Sequence, residues 1–462
     1  MTQTTPIKSK IAASLSLIFG TALSSGVMSS ATAQETEKNI EVIQVSGIRS
    51  SVQKSMGIKR DSAGVVDAIS AEDIGKFPDT NLAESLQRIT GISINRNNGE
   101  GNQVTARGFG PDYNMVTLNG RTMPGSALPG GGGVANSRAY DFSDLASESV
   151  RTVEVYKTGR ASIATGGIGA SINIKTARPF DSADNGFTAS VGAKALHDTT
   201  NRVGDDVTPE VSGFINYLND DNTFGVTFTG SFQQRDSAAQ GAFVNQWRVN
   251  SFDGTVPQSP DPANSNSGEP VVLNNAPAIG QLFGIPSDLR YYMADRERDR
   301  TNAQLTIQFA PSDKMTATLD YTYSRQDLFE ARAEQSIWMD DRYFAELTFD
   351  DEAVRTPVLI TQERRDLLPR DLGLALQELN QVNENKSIGL NLEYLVNDDL
   401  TLFFDLHNSS AEGRPDAPYG TWTNLGLGAN VVKGQGVDFR GDFPIMFVDF
   451  DDAARDNLNG NG

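Results

Sequence analysis

Apolar and polar residues alternate along about seven stretches of the chain that follow residue 180. In one of them Phe224, Val226 and Phe228 are separated by Gly225 and Thr227. A period of two predicts β-strands with one apolar face. The stretches comprise residues 187–195, 211–218, 224–233, 304–309, 315–324, 387–396 and 400–407. Most of them approach the roughly 9–11 residues that a tilted membrane-spanning strand requires.

The connections between these predicted strands alternate in length. Residues 219–222, 311–313 and 397–399 form tight turns, whereas residues 236–298 and 326–382 form very long connections. Short turns on one side and long loops on the other are typical of outer-membrane barrels. A soluble β-sandwich is the alternative, because its strands alternate as well. Sandwich loops do not usually sort by length in this way, so the pattern favours an antiparallel transmembrane β-barrel.

The region before residue 180 has a different pattern, in which one helix is followed by short strands. Leu82, Leu86 and Ile89 form a single apolar stripe, and Asp79 or Thr80 can cap this helix at its N-terminus. Short strands follow at residues 92–94, 103–106, 115–118 (leading into an Asn119-Gly120 turn), 150–156 and 170–175. The pattern predicts a mixed α/β domain, and residues 177–185 read as a linker.

Composition excludes several classes of function. The 462 residues carry a net charge of −20, which argues against a nucleic-acid partner. The chain has no Cys, so disulfides, iron–sulfur clusters and thiolate zinc sites are excluded. Only His197 and His407 could supply imidazole, which argues against haem and His-rich metal sites. No arrangement of nucleophile and base or of paired carboxylates emerges. We therefore expect no enzyme, no metal and no cofactor.

The N-terminus has the features of an export signal. Lys8 and Lys10 precede an uncharged stretch that ends near Ala31-Thr32-Ala33, a small-x-small cleavage site. We expect residues 1–33 to be a signal peptide, excluded from the fold.

Residues 34–49 then form a polar tether that contains one short apolar alternation over residues 41–47. That segment could dock as an extra strand on another protein's sheet, or it could be an ordinary edge strand of the domain that follows.

Four long motifs resemble those of TonB-dependent outer-membrane receptors. They are IEVIQVSG (40–47), PDTNLAESLQRITGISINR (78–96), VTARGFGPDYNMVTLNGR (104–121) and VRTVEVYKTGRASIATGGIGASINIKT (150–176). The resemblance implies a plug domain at residues 50–176, lodged in a barrel whose N-terminal part is formed by residues 186–462. It also implies a location in the outer membrane of a Gram-negative bacterium and energy-coupled uptake of a scarce solute.

The resemblance also implies roles for individual residues. The first motif resembles a TonB box, which would contact TonB and, through it, the inner-membrane ExbB/ExbD complex. Its residues are Ile40, Glu41, Val42, Ile43, Gln44, Val45, Ser46 and Gly47. The plug core motifs are matched by Arg107, Gly108, Phe109, Asn119 and Gly120, whose roles would be structural more than ligand-contacting. Outer-membrane lipid would surround the barrel.

The solute is a matter of expectation. The Gly-rich plug segment between Arg121 and Arg138 would face the exterior, and Trp247 and Trp338 lie in the long connections. Aromatic rings there could stack on sugars or lie at the lipid interface. We expect these four residues to contact substrate. The branch of the family that the chain resembles is often linked to oligosaccharide uptake, so an oligosaccharide is predicted. The alternatives are a siderophore receptor of the same architecture and a surface glycan-binding β-protein that transports nothing.

The number of strands departs from the family pattern. Plugged outer-membrane transporters have ~22 strands, which at the spacing seen here would need roughly 700 residues. Only 277 of the 462 residues follow residue 185, enough for about seven or eight strands. We therefore expect the chain to be a truncated form or fragment of a complete receptor.

Overall fold

The computed structural model describes residues 48–70, 81–97, 99–125, 137–147, 150–182, 184–256, 270–363 and 370–453. The predicted signal peptide (1–33) and TonB box (40–47) lie outside them. The described α-helices are α1 (Ile48–Asp61) and α2 (Leu82–Leu86), and short 3-10 helices are formed by Pro111–Tyr113, Pro179–Asp181 and Asp341–Tyr343. None of these helices combines the length and the apolar character that a transmembrane helix needs.

The N-terminal domain is built on a five-stranded sheet and a separate two-stranded pair. Its strands are β1 (Val66–Ser70), β2 (Ile92–Asn97), β3 (Glu100–Ala106), β4 (Met115–Leu118), β5 (Arg121–Thr122), β6 (Val150–Tyr156) and β7 (Ser171–Thr176). The sheet order is β1-β6-β7-β4-β5, and β2 pairs with β3. Leu82 and Leu86 of α2 pack with Ile172, Ile174 and Phe142 in one hydrophobic core. The predicted mixed α/β domain, hereafter the plug, is confirmed.

The structure corrects the start of the predicted helix. Asn81 is the N-cap of α2, and its side-chain oxygen accepts a hydrogen bond from the Glu84 N–H at 3.2 Å. Residues 79 and 80, the predicted caps, lie outside the described part of the chain. The predicted Asn119-Gly120 turn is confirmed. Both residues have positive φ (53° and 83°), as the two central positions of a type I′ turn between β4 and β5 require.

The rest of the chain forms one large sheet with a smaller pair beside it. Its strands are β8 (Gly186–His197), β9 (Val207–Leu218), β10 (Phe224–Phe243), β11 (Trp247–Ser251), β12 (Val272–Asn274), β13 (Leu282–Pro286), β14 (Asp288–Ser312), β15 (Met315–Trp338), β16 (Phe344–Phe349), β17 (Pro357–Glu363), β18 (Arg370–Asn397), β19 (Leu400–Pro415), β20 (Trp422–Asp438) and β21 (Ile445–Phe450). β11 and β13 pair with each other, and the others form the 12-stranded sheet, hereafter the barrel sheet.

Long antiparallel strands dominate the barrel sheet, in the order β8-β9-β10-β14-β15-β18. One half of β18 then pairs with β19 and the other half with β20. All seven predicted strands are present, but the central ones are much longer than predicted. β14 has 25 residues, β15 has 24 and β18 has 28. The predicted order of a plug followed by antiparallel barrel strands is confirmed.

The prediction that residues 236–298 and 326–382 form long loops is wrong, because much of each segment is β-strand. Their first and last parts extend the neighbouring long strands, and between them β11, β12, β13, β16 and β17 form a second folded region with β20. This region has its own hydrophobic core, which includes Phe252, Phe283, Ile285, Leu347 and Ile360. Its strands are only 3–7 residues long, too short to produce a clear alternation.

Candidate functional site

The barrel sheet is inverted relative to a soluble domain, with polar side chains buried and apolar ones exposed. On β15, Thr318, Asp320 and Thr322 are buried, whereas Leu319 and Tyr321 are 41% and 37% exposed. The same inversion holds on β14, where the buried residues are Asn302, Gln304, Thr306 and Gln308. The polar face contacts the plug, and we call it the lumen face. An apolar outer face and a polar interior are what a lipid-embedded barrel requires.

Arg121 connects the plug to the barrel sheet. Its Nη1 donates to both carboxylate oxygens of Asp320 on β15 at 2.7 Å. Its Nε and Nη2 donate to Asp405 on β19 at 2.9 and 2.8 Å. Burial lowers the pKa of Arg121, but the two carboxylates outweigh this effect and hold the pKa above its ordinary value. The guanidinium crosses Gly389 of β18, where a Cβ would overlap it.

A second contact is made by the plug segment at residues 143–144. Asn385 on β18 donates to the Asp144 carboxylate at 3.0 Å, and the Ser324 hydroxyl on β15 donates to the Asp144 carbonyl. The Ser143 hydroxyl oxygen lies 3.3 Å from the side-chain oxygen of Gln326. These polar groups lie in the buried interface between the plug and the barrel sheet, where each needs a hydrogen-bond partner.

Asp141 lies just before this segment and accepts hydrogen bonds from the backbone N–H and hydroxyl of Ser143 at 2.9 and 2.6 Å. Burial, followed by the neighbouring Asp144 charge, raises the pKa of Asp141 to about 6. The plug therefore holds a carboxyl that titrates near physiological pH.

Glu100 makes a third contact, with the opposite polarity to that of Arg121. Its carboxylate forms ion pairs with Arg298 and Arg300 of β14, the latter at 3.2 Å. Arg298 and Arg300 are 4% and 2% exposed. Within the plug, the Asn81 amide donates to the same carboxylate at 3.0 Å. One face of the plug thus presents an acid to arginines, and another presents an arginine to aspartates.

The strand register gives the order of these contacts along β14. Asp320 pairs with Thr306, Ser324 with Asn302 and Gln326 with Arg300, so contacts made through β15 can be placed along β14. The linker lies at one end, where the Phe180 N–H donates to Gln308 at 2.9 Å. The Arg298–Glu100 pair lies at the other end of the series. It lies nearer to the long-loop side of β14 than the contacts of Arg121 and of residues 143–144 do.

Beyond the plug, the lumen face of β14 and β15 carries arginines and aromatic rings. Arg296 pairs with Glu330 at 2.6 Å, and Arg290 pairs with Glu334 at 3.0 Å. Arg332 lies over the Tyr292 ring at 4.3 Å and over the Phe243 ring at 5.1 Å from the centroids. Arg290 lies over the Trp338 ring at 5.0 Å. Together with Arg298 and Arg300, these residues form what we call the arginine wall, defined as Arg290, Arg296, Arg298, Arg300 and Arg332.

The predicted substrate residues have separate neighbours. Arg121 is buried between plug and barrel sheet, and Arg138 donates to the Asn114 carbonyl at 3.2 Å within the plug. Trp338 is half-exposed beside the arginine wall, and Trp247 of β11 packs on Phe439 at 6.0 Å. Substrate contact by these four residues stays a prediction.

The predicted plug core motif has structural contacts. Arg107, with φ of 53°, donates through Nε to the Gly169 carbonyl at 3.0 Å, which ties β3 to the glycine-rich turn before β7. The Asn119 side chain accepts from the Thr176 N–H at 3.1 Å. Gly108 also has positive φ, and Phe109 packs edge-on against Tyr113.

Sequence reasoning missed the arginine wall and Glu100. The signal was present in β14, where Arg290, Arg296, Arg298 and Arg300 all occupy even positions and so share one face. Asp295, Glu297 and Asp299 alternate with these arginines on the other face, so no apolar face marks this half as a strand. Glu100 gave no signal, because its partners are about 200 residues away in the chain.

These features define a class, the plugged outer-membrane β-barrel proteins. Residues 58–171 match the family described as the TonB-dependent receptor plug domain. The chain therefore contains the plug domain of the TonB-dependent receptors, proteins of the Gram-negative outer membrane, as predicted.

The chain is similar to known proteins both in sequence and in structure. A curated relative, the ferric enterobactin receptor PirA of Pseudomonas aeruginosa, is 30% identical over 125 residues, which is 25% of this chain and 17% of the relative. Among solved structures, the siderophore receptor PirA from Acinetobacter baumannii is 12% identical, with 84% of this chain and 61% of that chain covered and a TM-score of 0.31. The outer membrane transporter YddB from Escherichia coli is also 12% identical, with 84% and 59% covered and a TM-score of 0.37. The chain thus spans less than two thirds of these receptors.

Proposed function

We propose that the full-length receptor imports an anionic solute, a ferric siderophore, across the outer membrane. The observation that carries the proposal is the arginine wall. The chain has a net charge of −20, yet five arginines gather on the lumen face of two adjacent strands at and beyond the plug. Guanidinium groups bind carboxylate and phenolate oxygens through paired, charge-assisted hydrogen bonds. In the structure these guanidinium groups pair with four carboxylates, those of Glu100, Asp288, Glu330 and Glu334, so an anionic solute would bind by exchange with them.

The curated relative is described as a ferric enterobactin receptor, which agrees in kind with an anionic iron chelate. The aligned part is a quarter of this chain, so the choice of solute depends mainly on the arginines. The predicted oligosaccharide gains no comparable support. Arginines already cover one face of the Trp338, Tyr292 and Phe243 rings, the surfaces on which a sugar would stack.

Energy would come from TonB and the ExbB/ExbD complex, with residues 40–47 as the TonB contact. The solute would undergo no chemical change, and the receptor would act as a transporter rather than an enzyme. Outer-membrane lipid would cover the exposed apolar face of the barrel sheet.

The test is equilibrium binding to purified full-length receptor in detergent micelles. The probes are a trianionic ferric tris-catecholate, a neutral ferric trihydroxamate and a neutral maltooligosaccharide. We expect binding of the trianion, weakened ten- to a hundredfold in Arg296→Gln or Arg332→Gln, because a hydrogen bond to a charged group contributes about 1.5–3 kcal/mol. Arg151→Gln, whose partner Asp181 lies in the linker, is the control and should bind as the wild type does. Binding of the oligosaccharide alone would contradict the proposal.

A further inference from the structure

A small cavity lies where the plug meets β10 and β14. Glu100 is the plug residue that lines it, and Arg235, Ser237, Arg296 and Arg298 line it from the lumen face. Arg235 has a carboxylate partner in Asp198 at 3.0 Å, and Arg296 has one in Glu330. Arg298 depends on the plug, because its ion pair in the structure is with Glu100.

The Arg298 guanidinium is not fully satisfied by Glu100. Its Nε and Nη2 have no hydrogen-bond partner among the described residues, although the side chain is 4% exposed. A buried donor without a partner has lost its hydration without compensation, which is unfavourable. The fork of a guanidinium is matched by a bidentate anion, whereas the Glu100 carboxylate is shared between Arg298 and Arg300. The site is therefore built for an anion with more oxygens than Glu100 offers.

Glu100 also links this site to the start of α2. The Asn81 side chain donates to the Glu100 carboxylate at 3.0 Å and to the Gly101 carbonyl at 2.5 Å. Its oxygen caps α2 through the Glu84 N–H. Asn81 is fully buried, so its amide has no solvent to replace a lost partner. A change at Glu100 would therefore reach the N-cap of α2.

We propose that Glu100 occupies an anion-binding site of the barrel sheet when no solute is bound. An anionic group of the arriving solute takes its place on Arg298 and Arg300. That exchange breaks the contact between Glu100 and β14 and loosens Asn81 and α2. Binding of the solute in the lumen thereby changes the contacts of the plug before TonB exerts any force on it. This inference rests on the proposed function, because it requires an anionic solute.

Two variants separate this mechanism from simple weakening of the plug. Glu100→Gln removes the competing charge and keeps the shape, so affinity for the ferric tris-catecholate should rise about tenfold. Arg298→Gln removes the anion partner, so affinity should fall about tenfold or more. Both variants loosen the same contact, and a merely structural role would move the two affinities in one direction. Glu84→Gln is the matched control, because Glu84 bonds to Gly101 N–H and Arg96 within the plug.

The second readout is amide hydrogen exchange over residues 81–106 of the full-length receptor. In the wild type and in Glu84→Gln, the chelate should speed this exchange. In Glu100→Gln exchange should be fast without chelate and unchanged by it. Equal affinities in the wild type, Glu100→Gln and Arg298→Gln, or chelate-induced exchange that persists in Glu100→Gln, would overturn the inference while the proposed function stands. A wild-type receptor that binds no chelate would overturn both.

Discussion

Arg121 of the plug and Asp320 of the barrel sheet form an ion pair in which the two side chains are 5% and 6% exposed. The second carboxylate, Asp405, is 37% exposed. A single guanidinium therefore holds one buried and one half-exposed acid on two different barrel strands. Removing either partner of the buried pair leaves a charge without compensation, which is far more costly than losing a surface ion pair.

Arg121→Met should lower the free energy of unfolding of the plug by about 3–5 kcal/mol, because Asp320 keeps its charge in a buried site. Differential scanning calorimetry of the full-length receptor in micelles measures this. Arg151→Met is the matched control, since Arg151 and its partner Asp181 are 41% and 36% exposed. An exposed pair contributes about 0–1 kcal/mol. Equal losses in the two variants would contradict the anchoring role of Arg121.

Gly389→Ala should reproduce much of this loss although it changes no charge. A Cβ at this position would overlap the Arg121 guanidinium, so the arginine must leave its place between Asp320 and Asp405. The expected result is a lower melting temperature of the plug with the barrel transition unchanged. Gly213→Ala on β9 is the control, because nothing lies within 4 Å of a Cβ there. If both glycine variants melt alike, the crossing at Gly389 is not required.

Asp141 should make plug stability depend on pH. Its pKa is raised from 3.8 to about 6 in the folded plug, so the folded state binds the proton more tightly than the unfolded state does. The stabilising effect of the proton is complete below about pH 4 and is lost as the pH rises through about 6. Asp141→Asn should therefore be more stable than the wild type at pH 7.5 and should lack this pH dependence. Plug melting measured from pH 4 to 8 tests this, and an identical slope in both proteins would contradict it.

The side-chain oxygen of Asn81 caps α2, and its amide nitrogen donates two hydrogen bonds. Two substitutions separate these roles. Asn81→Ser keeps an oxygen that can cap α2, whereas Asn81→Ala does not, so Ala should cost about 1 kcal/mol more than Ser. Both lose the donations to Glu100 and Gly101 and should speed amide exchange around β3. Hydrogen exchange with mass spectrometry gives both results. Exchange around β3 at the wild-type rate in Asn81→Ser would show that the amide donations do not hold Glu100.

The sequence predicted those parts of the fold that bury or expose an apolar face. The seven long strands and the Asn119-Gly120 turn follow from local patterns of this kind. The pattern fails in the half of β14 before Ala303, where both faces carry charges and no apolar face remains. It also fails for the cap of α2, because Asp79, Thr80 and Asn81 are all good capping residues and only the fold distinguishes them.

The site was less accessible to sequence reasoning than the fold. The ion pairs of Arg121 were not predicted, because its carboxylate partners are 199 and 284 residues away in the chain. Pairs of such long range leave no periodicity in a single sequence. The shared parity of the β14 arginines was the one local signal, and it has meaning only once the strand is known.

Uptake of radioactive iron by cells that express the full-length receptor is the most direct test of the account. Ferric tris-catecholate labelled with iron-55 should enter cells that carry the intact receptor and TonB. It should stay outside when residues 40–47 are deleted or TonB is absent. Uptake of the neutral maltooligosaccharide should not depend on the receptor. Entry of iron without residues 40–47, or receptor-dependent uptake of the sugar in place of the chelate, would contradict energy-coupled import of an anionic solute.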